Sequence, residues 1–115
     1  MHELGIAGSI LESAQTELRN HSGARLNAIG LRIGAWSGVD PDSLKFCFEV
    51  LARDTRAAGA KLAVETCPIA WCCRRCHEEF APVDGNPCCP ECGSGDCHLV
   101  SGQQLEIAYL ELEES

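Results

Sequence analysis

The sequence predicts an α+β fold: a small mixed sheet with two helices, plus an inserted zinc-ribbon-like lobe built on four cysteines. Three observations predict it: two stretches with apolar residues at helical spacing, three with period-two alternation, and two C-x2-C pairs placed ahead of the last strand. With 115 residues the chain can build one hydrophobic core and a metal-stapled lobe, and is too short for two ordinary domains.

The first helix starts near Leu4, where Leu4, Ala7, Leu11, Ala14 and Leu18 recur with Ile6 and Ile10 beside them and Glu12, Gln15, Thr16 and Arg19 fall elsewhere. Asn20-His21-Ser22-Gly23 favours a left-handed cap and stops it. Ile29, Leu31 and Ile33 alternate with Gly30, Arg32 and Gly34, the pattern of a strand with one buried face. Asp40-Pro41 supplies an N-cap followed by proline at the first helical position. From there Leu44, Cys47, Phe48 and Leu51 continue a second helix, expected to run to about Gly59. Leu62, Val64 and Thr66 form a second strand that leads into the cysteine-rich segment. In the closing stretch Leu105 and Ile107 are out of phase with Leu110 and Leu112, which predicts a bulge near Ala108 or Tyr109. The expected division is residues 1–69 as one α/β domain, completed by the C-terminal strand 103–115, with residues 70–102 as the zinc-binding lobe.

Composition narrows the function. Hydrophobic residues at 45% and charged residues at 23% are those of a folded globular chain, not a disordered one. A formal charge of −8 argues against nucleic acid as a partner, because phosphate binding needs Lys and Arg, and it suits metal cations. No apolar run approaches the roughly 20 residues of a membrane span, and Met-His-Glu-Leu-Gly is no signal peptide, so no membrane association and a cytoplasmic location are expected. In a reducing compartment nine cysteines point to metal binding ahead of a disulfide scaffold.

Cys73-Arg74-Arg75-Cys76 and Cys89-Pro90-Glu91-Cys92 are separated by 12 residues, a spacing at which two tight turns each offer two sulfurs to one tetrahedral ion. Zinc held by Cys73, Cys76, Cys89 and Cys92 has no open position, so the site is expected to be structural. Cys72 and Cys88 offer substitutes for their neighbours, and rubredoxin-type iron is a rival for the same sulfurs, distinguishable by its red colour. Cys47 and Cys67 read as small apolar core residues, and Cys97 as a more open bystander.

Met1-His2-Glu3 is a second candidate metal site. The bulk of His2 is expected to preserve Met1, leaving an α-amine, the His2 amide and an imidazole close together. The Glu3 amide or carboxylate, or a remote imidazole, then completes the tetragonal plane favoured by Ni(II) and Cu(II). The positive end of the following helix opposes a cation there, so residues 1–3 are expected outside the helix. The plainer alternative is that Glu3 simply complements the helix dipole. His98 is a further candidate for the nickel plane. The scattered histidines, and lone thiols without a base, argue against an enzyme.

Taken together, Met-His-Glu-Leu, Ile-Gly-Leu-Arg-Ile-Gly, Pro-Asp-Ser-Leu-Lys-Phe-Cys-Phe-Glu-Val-Leu and the two-knuckle lobe resemble the HypA/HybF family of hydrogenase maturation proteins over essentially the whole chain. The resemblance implies a nickel metallochaperone that is not an enzyme, with Ni(II) at Met1, His2 and Glu3 and Zn(II) at Cys73, Cys76, Cys89 and Cys92. It implies delivery of nickel to a [NiFe] hydrogenase large-subunit precursor in concert with a HypB-type nickel GTPase, and it leaves a homodimer and a urease client open. The doubled cysteines at 72/73 and 88/89 depart from the family's single-cysteine pattern. The alternative is a zinc-ribbon interaction or redox module without nickel.

Overall fold

The computed structural model describes residues 3–82 and 86–114. Helix α1 spans Glu3–Leu18 and buries Ala7, Ile10, Ala14 and Leu18, one stripe of the helix. It ends where the sequence predicts: the His21 amide donates to the Leu18 carbonyl and Gly23 takes a φ of 86°. Arg56, from a distant turn, completes the cap. Its guanidinium donates to the carbonyls of Leu18, His21 and Ala24 at 2.7, 2.9 and 2.8 Å, adding a second donor to the Leu18 and His21 carbonyls and placing a cation at the negative pole.

Strand β1 (Arg25–Gly34) is central, and helix α2 (Pro41–Ala52) carries the chain over to the parallel strand β2 (Lys61–Cys67). Asp40 caps α2 as expected, its carboxylate accepting from the Asp42 amide at 3.1 Å and the Ser43 hydroxyl at 3.0 Å. The helix stops at Ala52 and not near Gly59. Arg53 leaves helical geometry, Asp54 adopts a φ of 63°, and the Thr55 amide and hydroxyl both donate to the Ala52 carbonyl. Buried Ala57 belongs to the turn that follows, so alanine-rich composition mimicked a longer helix.

The last strand, β6 (Leu105–Glu113), pairs antiparallel with β1. Its register shifts between Gly30↔Tyr109 and Leu31↔Ile107, so Ala108 is the extra residue, the bulge expected from the sequence. With a second shift at Asn27 of β1, between Leu26↔Leu112 and Ala28↔Glu111, the consequence is that Leu105, Ile107, Leu110 and Leu112 stand opposite Ile33, Leu31, Ile29 and Leu26, all on one side of the sheet. Without the extra residue half of this set would face solvent. On the other side Arg32 binds Glu65 at 3.2 Å and Glu106 at 2.8 Å, spanning all three strands. The Tyr109 ring lies over Gly30.

The second sheet consists of β3 (Ala70–Cys73), β4 (Glu79–Phe80) and β5 (Cys97–Ser101) in the order β4-β3-β5, both pairs antiparallel. The two sheets lie end to end. The radius of gyration is 18.1 Å and the long axis 56 Å, whereas a compact chain of this length has a radius of about 13 Å. At the junction the amides of Gly34, Ala35 and Trp36 donate to the carbonyls of Gln104, Cys67 and Gly102, and Trp36 meets Trp71 edge to face with centroids 6.2 Å apart. A Cβ on Gly34 would come within 2.1 Å of the Gly102 backbone, whereas the nearest atoms to one on Gly30 belong to the Tyr109 ring. Gly34→Ala is therefore expected to destabilise the fold by about 2–3 kcal/mol and Gly30→Ala by distinctly less, because a ring can swing aside and a backbone crossing cannot. Denaturant unfolding of both variants checks this. Equal costs would contradict it.

Candidate metal centre

The two sheets differ in what holds them. The buried apolar cluster belongs to the helices, the first sheet and the loops that join them, running from Ala7 to Leu62. In the second sheet and its turns the only fully enclosed apolar side chains among the described residues are Cys73 and Cys89. A lobe with no packed core needs another source of cohesion.

The two cysteine turns have the same construction. In the first, the His77 amide donates to the Cys73 carbonyl at 2.9 Å and His77 adopts a φ of 63°. In the second, the Gly93 amide donates to the Cys89 carbonyl at 2.8 Å with a φ of 73°. In both, the residue after the second cysteine turns left-handed, which brings both sulfurs of the turn to one side. The Arg74 amide donates to the Asp96 carbonyl, and the two side chains form an ion pair at 3.3 Å that joins the first turn to the approach of β5.

The sulfurs of Cys73, Cys76, Cys89 and Cys92 all lie within 4.8 Å of one another, with Cys73 to Cys92 at 3.6 Å and Cys76 to Cys89 at 3.5 Å. A tetrahedron built on zinc–sulfur bonds of about 2.3 Å has edges of about 3.8 Å, so the arrangement fits a four-thiolate ion. Backbone amides tune these sulfurs. The Cys76 amide and, behind it, the Arg75 amide hold the Cys73 thiol down at about 6, against the effect of burial. The Glu78 amide lowers Cys76 in the same way, but the contact with Cys89, burial and the neighbouring thiols outweigh it and push Cys76 up to about 12. Cys92 is raised on balance too: the Ser94 amide lowers it, and Cys73 and burial overcome that pull.

Metal-free, Cys76 and Cys92 keep their protons through the neutral range, and a thiophilic cation must displace both. Apparent zinc affinity is thus expected to rise at least about 100-fold per pH unit from pH 6 to 8, two or more protons being lost per ion bound, and to fall more steeply below 6 as Cys73 also protonates. Competition with a chromophoric chelator across that range measures the slope. A slope near zero would contradict the proton count.

The remaining cysteines stand apart from the four. Cys72 precedes Cys73 on the strand and faces the other way, its thiol donating to the Cys73 carbonyl at 3.7 Å, and Cys88 is exposed. Neither replaces its neighbour in the cluster. Cys47 is half-buried against the core and Cys67 is buried at the junction, in keeping with their reading as small apolar residues. Cys97, expected to be open, is half-buried directly opposite Cys73. Burial, and after it the Cys73 charge, raise its pKa. His98 lies opposite Cys72, on the sheet face away from the four sulfurs, and its Nδ1 is buried with no hydrogen-bond partner among the described residues.

At the other candidate site, Met1 and His2 lie outside the described residues. Glu3 does not stand outside the helix as expected but opens α1, where a carboxylate complements the positive pole. Its Oε2 accepts from the Asp40 amide at 3.2 Å, linking the start of α1 to the cap of α2.

Residues 1–112 match the model of a protein family described as hydrogenase/urease nickel incorporation, metallochaperone, hypA. The chain is 42% identical over 117 residues to the hydrogenase maturation factor HypA of Solidesulfovibrio magneticus, covering 98% of this chain and 100% of the relative. It is 37% identical over 113 residues to that of Desulfatibacillum aliphaticivorans, covering 97% and 87%. Among solved structures, the solution structure of HypA protein superposes with a TM-score of 0.79 at 19% identity, covering 100% of this chain and 98% of the other. The solution structure of the Ni metallochaperone HypA from Helicobacter pylori superposes at 0.69, also at 19% identity, over the full length of both.

Proposed function

Because the chain belongs to the HypA family of hydrogenase/urease nickel-incorporation metallochaperones, we propose that it carries Ni(II) as cargo at Met1, His2 and Glu3 while Cys73, Cys76, Cys89 and Cys92 hold a structural Zn(II). The observation that carries this division of labour is the four-sulfur cluster itself. Four cysteines of the chain close a tetrahedron and leave no position for cargo that must enter and leave. Nickel then needs a different donor set, and nitrogen-rich Met1-His2-Glu3 suits its tetragonal preference, which sulfurs at tetrahedral spacing do not. The anchoring of Glu3 to the Asp40 amide supports the same reading, since it ties the residue next to His2 to the rigid helix pair. We read residues 1–69 with 103–115 as the nickel domain and 70–102 as the zinc lobe.

The chain acts as a carrier and not as an enzyme. It holds nickel weakly enough to release it by ligand exchange to a hydrogenase large-subunit precursor, and the sequence has no phosphate-binding glycine loop, so nucleotide energy comes from a HypB-type GTPase. Metal analysis of the untagged protein, purified with and without added nickel, tests the proposal. One zinc in both preparations and one nickel only after addition are expected. Zinc without any nickel uptake would leave a zinc-ribbon interaction module as the function.

A further inference from the structure

We propose that Cys97 is a reserve ligand of the zinc centre, placed to take the vertex of the tetrahedron that Cys73 vacates. The inference rests on the zinc reading above and concerns a residue outside the four-sulfur set.

Strands β3 and β5 pair antiparallel with Cys73 directly opposite Cys97. Residues so paired project to the same side of the sheet with Cβ atoms about 4.5–5.5 Å apart. The Cys97 thiol also reaches the second cysteine turn: it donates to the Ser94 carbonyl at 3.5 Å, the same oxygen that accepts the Cys89 amide at 2.9 Å. One half-buried sulfur thus bonds to the second turn, on a residue that pairs in register with the first ligand of the other turn. The other spare thiols lack this placement, since Cys72 projects from the opposite face and Cys88 is exposed and not paired in register with any of the four.

Zinc makes exchange at this vertex feasible, because a filled d shell imposes no geometry of its own and a fourth thiolate can enter as another leaves. The Cys73 sulfur leaves the ion and takes up a proton, and the Cys97 thiol gives its proton to solvent and bonds the ion. The centre keeps four thiolates, its charge and its oxidation state. The exchange lets one sulfur be lost, to oxidation or to a competing metal, without collapse of the lobe.

The test uses the untagged full chain loaded with zinc, and in parallel with Co(II) as a spectroscopic stand-in. Wild type is expected to hold one zinc, and Cys73→Ser to keep it with a four-thiolate cobalt spectrum. Cys73→Ser/Cys97→Ser is expected to bind zinc at least about 100-fold more weakly and to show a three-thiolate spectrum, while Cys73→Ser/Cys72→Ser behaves as Cys73→Ser alone. Loss of zinc or unfolding in Cys73→Ser, or a cobalt spectrum matching that of the Cys97 double variant, would overturn the proposal. Wild type without zinc would instead overturn the zinc reading on which it rests.

Discussion

Cys76→Ala or Cys92→Ala is expected to release the zinc and unfold residues 70–102 while the helical layer stays folded. The strands of the lobe are 4, 2 and 5 residues long and cannot persist on their own pairing. Trp71, Phe80 and Leu99 share the face that carries Cys73, yet all three are only half-buried, so their burial cannot replace the metal. Most of the free energy of holding four thiolates on one ion is free energy of folding this segment, and it is lost when a vertex opens. Neither Cys76 nor Cys92 has a thiol opposite it on a neighbouring strand, unlike Cys73. The first sheet is insulated from the loss because its core is built from residues up to Leu62 together with β6. Zinc content after gel filtration, and amide chemical-shift dispersion of the two halves, report both parts. A full equivalent of zinc in both variants would refute the assignment of the ligands.

The elements legible in the sequence were those whose own burial pattern forms them. Two helices with apolar stripes, and strands at Ile29–Ile33, Leu62–Thr66 and Leu105–Leu112, appear where periodicity puts them, and even the Ala108 bulge was visible as a phase break. The strands of the lobe were not legible, because turns shape them and runs of 4, 2 and 5 residues are too short to show a period. Long-range partners also left no signal: nothing near Arg56 says that it caps α1, and nothing near Cys97 says that it lies opposite Cys73. The pair spacing of Cys73, Cys76, Cys89 and Cys92 did carry the four-sulfur cluster, since two residues between cysteines is a local constraint. Glu3 went the other way: the supposed cost of a cation at a helix start suggested residues outside the helix, and its carboxylate offsets that field from within the first turn.

Adding even one residue before Met1, or replacing His2 with alanine, is expected to weaken nickel binding by more than about 100-fold while zinc content and folding stay as in the wild type. An added residue turns the α-amine into an amide and moves its charge away, and His2→Ala removes the imidazole. Each change deletes a nitrogen donor that a tetragonal Ni(II) site needs. Both changes precede α1 in the sequence, ahead of a buried stripe that begins at Ala7, and neither alters any of the four clustered cysteines. The amine titrates near about 7.7–8.0 and imidazole near about 6.5 in unperturbed peptides. Both must shed a proton to bind, so affinity should fall as the medium is acidified from about pH 7.5 to 6. Calorimetric titration of the untagged, extended and His2→Ala proteins with nickel at matched pH, alongside zinc analysis, separates the two metals. An extended protein that binds nickel as tightly as the untagged one would move the cargo site elsewhere, with the spare cysteines, His77 and His98 as the donors to test next.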